Sequence, residues 1–232
     1  MIVVEAAGNG ARNLDSAIYN TRPAGFPATW RNPFNLSNPS SGAIVVGAGA
    51  PPPGTHGRDH GPDRSRLDFS NHGQRLDTQG WGREVTTTGY GDLQGGTTRD
   101  LWYTDQFSGT SSASPIVVGA IGCMQGILRA NNRPMLTPNA ARQILRNTGS
   151  PQTDGPSRPR TQRICNRPNI RQMVASLFGV APEADEAQDG QEALLTSTRS
   201  IELNLDGKVT INVRSADVTV NVGDKKIELS GS

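Results

Sequence analysis

Residues 107–115 read F-S-G-T-S-S-A-S-P, and the apolar run I-V-V-G-A-I-G-C-M-Q-G-I-L follows at once. The run is long enough for a buried helix, so the residues before it form its entrance. Ser, Thr and Pro are common at such entrances. Their side-chain oxygens accept from amides that no earlier turn can satisfy, and proline loses nothing there by lacking an N–H. The position also has a chemical reading, because a serine at a helix N-terminus sits where negative charge is favoured and amides can hold an oxyanion. Taken alone, the stretch favours the cap.

Upstream, I-V-V at 2–4 and A-I-V-V-G-A at 43–48 are short, β-rich and bounded by glycine, the texture of buried parallel strands. A loop of some thirty-four residues joins them, long enough to be functional or to hide short elements. Residues 51–65 form a second polar excursion, and R-L-D-F-S-N-H-G with R-L-D-T-Q-G-W-G reads as strand and turn. Downstream, the run from 114 to 130 is a helix ending before N-N-R-P. A second helix begins where Thr137 caps and Pro138 takes the first turn, and is stopped by Gly149; 168–178 makes a third. The chain is therefore expected to be α/β, with a mostly parallel sheet over 1–179.

Residues 180–198 form an acidic linker, with five acids and no base between Ala181 and Glu192. From 199 to 232 the texture changes. I-E-L-N-L, V-T-I-N-V, V-T-V-N-V and I-E-L recur every eight or nine residues with apolar residues at alternate positions, and Asp206-Gly207 signals a hairpin. So small an antiparallel β-rich tail needs something to cover its apolar face.

Composition narrows the partners. A net charge of +2 argues against a dedicated nucleic-acid binder. The run Arg158, Arg160, Arg163, Arg167 and Arg171 is either a phosphate-binding patch or solvated surface. The opening M-I-V-V-E-A-A-G-N-G has neither the basic n-region of a signal peptide nor the length of a membrane span. Cys123 and Cys165 show no metal spacing. Cys123, inside the apolar helix, is expected to be buried and inert; a bridge to Cys165 would require an oxidising compartment.

Two features then join. A-A-G-N at 6–9 follows the first strand, and G-T-S-S-A-S-P at 109–115 opens the long helix about a hundred residues later. In this pair of motifs the chain resembles the subtilisin-like serine peptidases, whose nucleophile motif G-T-S-x-A-[ST]-P is matched by Gly109, Thr110, Ser111, Ser112, Ala113, Ser114 and Pro115. Ser112 stands where Met is usual. The family's oxyanion asparagine closes A-A-G-N, matched by Ala6, Ala7, Gly8 and Asn9; S-G-A-I-V-V-G-A and V-T-T-T-G-Y-G also fall in the family's order. The resemblance covers about 1–178 and implies part of a doubly wound, subtilisin-like domain.

It further implies that Ser111 attacks a peptide carbonyl and forms an acyl-enzyme. Asn9 and the Ser111 amide would hold the oxyanion, with Ala7, Gly8, Gly109 and Thr110 lining the substrate site. The family's aspartate and histidine motifs precede the oxyanion asparagine, yet only eight residues precede Asn9 here. The expectation is a fragment, inactive or nearly so alone, whose Asp and His belong to a missing N-terminal segment or a second chain. Val3, Val4 and 44–46 would then lack strand neighbours. A rewired base could come from His56, His60 or His72, the last beside a predicted strand. His56 and His60 with Asp59 and Asp63 make a poor metal site, since glycine and proline interrupt the spacing. Calcium is implied by resemblance only, as is an extracellular or periplasmic parent protein acting on peptide or protein substrates. The rival readings are a non-catalytic binding or scaffold protein and one half of a two-chain peptidase.

Overall fold

The computed structural model describes residues 1–179, together with the backbone of 218–222 and 225–229. Three parallel strands form the central sheet: β1 (Val4–Ala6), β2 (Ile44–Gly49) and β3 (Thr78–Trp81), in the order β1-β2-β3. Val4 pairs with Ile44 and Val46 with Thr78. β2 is buried along its whole length, as an uninterrupted apolar run requires, and its alternation divides two layers of core. Ile44 and Val46 face Val117, Ile121, Met124, Leu145 and Met173, whereas Val45 faces Leu14, Leu76 and Ile164.

The first layer is helical. α1 (Thr110–Ala130), α2 (Pro138–Asn147) and α3 (Ile170–Phe178) pack on the sheet or on one another. α2 starts as its sequence dictates, with the Thr137 hydroxyl accepting from Ala140 N and proline in the first turn. α1 begins at Thr110 rather than at 114, because Gly109 already acts as its N-cap. α1 reaches the sheet so closely that a Cβ on Gly80 would stand 2.4 Å from the Ala113 carbonyl oxygen.

The other layer is built by the long loop between β1 and β2. It hides a 3-10 turn at Ala17–Asn20 and is held by asparagines, Asn32 donating to Asn20 and Asn38 to the Asn32 carbonyl. Tyr19 meets Phe34 edge-on over the Leu14 cluster. After β3 the chain forms an antiparallel pair, β4 (Val85–Thr88) with β5 (Tyr103–Phe107), which leads straight into Gly109.

Two expectations are corrected. Residues 44–46 do not lack neighbours, because β2 is the middle strand; among the described residues the outer strands of the sheet are β1 and β3. Cys123 is exposed, not buried, since α1 is apolar on more faces than the core covers; both cysteines are free and only Cys165 is buried. There, burial pushes the Cys165 thiol up to about 12, against the pull of Arg163 and Arg146.

The chain divides into two compact units, Met1–Ala184 and Asp185–Ser232. In the second, β6 (Val218–Val222) and β7 (Lys225–Leu229) pair antiparallel with Val220 opposite Ile227. The linker at 180–198, the two earlier repeats and the Asp206-Gly207 signal lie outside the described residues.

Candidate active site

Parallel strands deliver their loops to one end of the sheet, and here that end gathers residues 7–12, 81–84 and 108–112. Gly109 joins the loops: its amide donates to the Gly82 carbonyl at 3.0 Å, and its φ of +114° is open to glycine but strained for other residues. Ser112 fastens the first turn of α1 to the same loop, its hydroxyl lying 2.8 Å from Gly109 O and 3.0 Å from Trp81 O. With Thr110 and Ser112 committed inward, Ser111 at the second helical position is exposed.

Thr110 does not reach the surface; it is 1% exposed and organises the loop after β1. Its hydroxyl donates to Asn9 Oδ1 at 2.9 Å and accepts from Gly8 N at 3.1 Å, and its amide donates to Asn9 Oδ1 at 2.8 Å. Two donors on one carboxamide oxygen fix which end of Asn9 is which, so Nδ2 is turned the other way. A Cβ placed on Gly109 would stand 3.3 Å from Asn9 Nδ2 and 2.9 Å from Ser111 Oγ. The hydroxyl and the carboxamide, one hundred and two residues apart in sequence, therefore border one small space that only a glycine leaves open.

Among the described residues no acceptor takes Asn9 Nδ2 or the Ser111 amide, and the Ser111 hydroxyl has no hydrogen-bond partner. Two orphan N–H donors and a free hydroxyl at a helix N-terminus can receive a carbonyl oxygen that is gaining charge. Ala7 and Gly8 lie half-buried beside them, with the Ala7 amide donating to Val46 O. Next to Ser112, a cleft of about 270 Å³ is lined by Val85, Thr86, Thr87, Phe107, Pro115 and Ile116.

Sequence reasoning missed Asn71. Its Nδ2 donates to Ala7 O at 2.7 Å, its Oδ1 accepts from Gly10 N and Arg12 N at 3.2 and 2.8 Å, and its own amide donates to Gly8 O. One side chain thereby ties down both flanks of Asn9. The only available signal was an asparagine beside a predicted strand, next to the histidine that drew attention instead.

None of the three histidines hydrogen-bonds Ser111 among the described residues. His56 Nδ1 lies 3.2 Å from the Asp105 carbonyl oxygen, and His60 Nε2 lies 2.6 Å from Glu84 Oε1. His72 is held by its backbone between Arg12 and Leu14; burial, and then Arg66, depress its imidazole below the usual range while Asp15 partly opposes them. Glu84 is held below the usual carboxylate range: burial opposes ionisation, and Arg58 and His60 together outweigh it. Calcium wants several carboxylate and carbonyl oxygens around one point. Among the described residues no three His, Cys, Asp or Glu side chains cluster suitably for a metal.

One comparison with known proteins bears out the family resemblance. A sequence model of the subtilase family matches residues 1–184. No curated protein gives a significant match. Among solved structures, the patellamide maturation protease PatA is 25% identical, with 61% of this chain and 45% of that chain covered and a TM-score of 0.45. The prenylagaramide maturation protease PagA is 20% identical, with 76% and 50% covered and a TM-score of 0.48. A protease from Pseudoalteromonas arctica is also 20% identical, with 76% and 42% covered and a TM-score of 0.47. The chain spans about half the length of these structures or less.

Proposed function

The chain belongs to the subtilase family, and on that premise we propose that it carries the nucleophile and oxyanion side of a serine endopeptidase active site. Ser111 Oγ bonds to the substrate carbonyl carbon while a base takes its proton. The carbonyl oxygen becomes an oxyanion between Asn9 Nδ2 and the Ser111 amide, the C–N bond breaks, and the amine leaves with that proton. Water then hydrolyses the acyl ester on Ser111. The single observation that supports this reading is the shared space above Gly109, bordered by Ser111 Oγ and Asn9 Nδ2.

The base and its carboxylate come from another segment, preceding this one in the same protein or borne by a second chain. His56 and His60 are engaged with Asp105 and Glu84, and His72 with its own loop. Among the described residues β1 offers such a segment an unpaired strand edge, and α1 an exposed stripe of Pro115, Val118, Gly119, Gly122, Cys123 and Gly126. Without it, turnover should fall to about 10³–10⁴ over water, the residual range of serine peptidases whose triad has been dismantled, subtilisin among them.

The test is peptide hydrolysis by the chain alone and with the genomic segment upstream of Met1 supplied in cis or in trans. Turnover that appears only with the segment, and disappears in Ser111→Ala, is the expected result. Robust turnover by the chain alone would overturn the assignment of the base; turnover that survives Ser111→Ala would overturn the nucleophile. No turnover in any combination would favour a binding or scaffold role on the same fold.

A further inference from the structure

The far ends of the same strands hold a different cluster. Asp77, just before β3, is fully buried; its Oδ2 accepts from Val45 N at 3.0 Å and Arg75 at 2.9 Å, and its Oδ1 from Arg142 Nε at 2.8 Å. Arg146 Nε lies 3.4 Å from that second oxygen, one turn along α2 from Arg142. Arg163 completes the group by donating to the carbonyls of Gln74 and Leu76 at 3.0 and 2.8 Å, and Arg146 also donates to Gln74 O. Three guanidinium groups thus share one carboxylate, and a fourth, Arg163, stands beside them. Asp15, whose two oxygens accept from the Gln74 amide, adds a second negative charge beside the group.

Among the described residues, four guanidinium groups against Asp77 and Asp15 leave two positive charges in excess, and they are not sealed in. The Arg142 and Arg146 side chains are 14% and 20% exposed. Burial lowers the Arg146 affinity for its proton, and of the neighbouring charges Asp77 opposes this while Arg163 and Arg142 add to it. Ser40 stands exposed at the rim, its hydroxyl oxygen accepting from Gly42 N, Arg75 and Arg142 at 3.1, 3.3 and 3.3 Å. With its lone pairs so used, the hydroxyl can only donate outwards.

We infer that this cluster binds a small tetrahedral dianion, free phosphate or sulfate, between Arg142, Arg146, Arg163 and the Ser40 hydroxyl. Planar guanidinium forks match the oxygens of such an ion, and the excess of arginine over carboxylate among the described residues gives it a net attraction that a single surface arginine lacks. The site lies at the start of β2 and β3, where Ala43 O and Asp77 are held, whereas Ser111 lies at their finish. It is therefore separate from the proposed peptidase chemistry.

The test is a thermal-unfolding titration of the full chain with sodium phosphate and sulfate, against chloride and acetate at the same ionic strength and pH. A saturable rise in Tm with the two dianions alone is expected, since a ligand that binds only the folded state stabilises it by mass action. Arg146→Gln and Arg163→Gln should each weaken apparent affinity about tenfold, one lost charged hydrogen bond. Arg163 does not touch Asp77, so its variant keeps the buried ion pairs, and Ser40→Ala provides a second, surface variant expected to weaken binding. Exposed Arg160→Gln should change nothing. Equal stabilisation by acetate or chloride would overturn the proposal, as would an undiminished response in Arg163→Gln and Ser40→Ala. A phosphoserine peptide binding more than tenfold tighter than phosphate would overturn the assignment to the free ion.

Discussion

At the scale of single residues, the arrangement of Ser111 and Asn9 depends on two side chains that hold their loops from behind. Thr110 fixes which end of Asn9 faces out, and Asn71 holds the loop on either side of it. Asn9→Ala, with the complementary segment present, should lower kcat by about 10²–10³-fold, a magnitude established on subtilisin itself. Asn71→Ala acts through Asn9, so it should lower kcat about tenfold with little change in KM, and pairing it with Asn9→Ala should add almost nothing. Steady-state kinetics on the four proteins of that cycle checks both statements. The G-T-S-S-A-S-P and A-A-G-N motifs were legible because each lies within a few consecutive residues. Asn71 was not, because its partners lie 59 and 64 positions away and none is distinctive by type.

His72 gives a pH prediction. Its imidazole is depressed in the folded state by burial and by Arg66, whereas an unfolded histidine protonates near about 6.5. The unfolded chain therefore binds a proton that the folded one refuses. This contribution to stability is complete above about pH 6.5 and is lost as pH falls below it. His72→Gln should flatten the slope of Tm between pH 7 and 5.5; an unchanged slope would show that other groups set it.

At the scale of elements, β2 and α2 follow directly from sequence, one from its unbroken apolar run and the other from Thr137-Pro138. α1 was harder to read because it is apolar around most of its circumference. Its buried face, Ala113, Val117, Ile121, Met124 and Leu128, covers the sheet, and Val118 on the opposite side is 52% exposed. Periodicity cannot say which apolar face a partner covers, and Cys123 was misplaced for that reason. Two glycine substitutions separate the faces. Gly80→Ala would collide with the Ala113 carbonyl and should destabilise by about 1–3 kcal/mol. Gly122, whose Cβ would meet nothing within 4 Å, should tolerate alanine with a gain of about 1 kcal/mol. If the complementary segment packs on this stripe, Gly122→Ala should stabilise the chain alone yet weaken its association. Chemical denaturation and a binding titration on the same variant read the two effects.

At the scale of the whole molecule, the described core is complete around β2 and open at β1. A strand edge beside an exposed apolar helix favours pairing with another chain. The chain alone should therefore self-associate as its concentration rises, and the complementary segment should suppress this. A monomer with one cooperative melt at high concentration, seen by light scattering and calorimetry, would count against an unfilled edge. The arginine cluster around Asp77 is a whole-molecule feature in the same sense. Its members come from β3's approach, from α2 and from the segment before α3, and no local reading of 158–171 assembles them.

Covalent labelling asks directly whether Ser111 and Asn9 act on one carbonyl oxygen. The chain, joined to its complementary segment, is treated with a fluorophosphonate, and the adduct is located by peptide mass spectrometry. Modification at Ser111 alone is expected, slowed about a hundredfold or more in Asn9→Ala. Modification at another residue, or at Ser111 with equal rates in the two proteins, would contradict it.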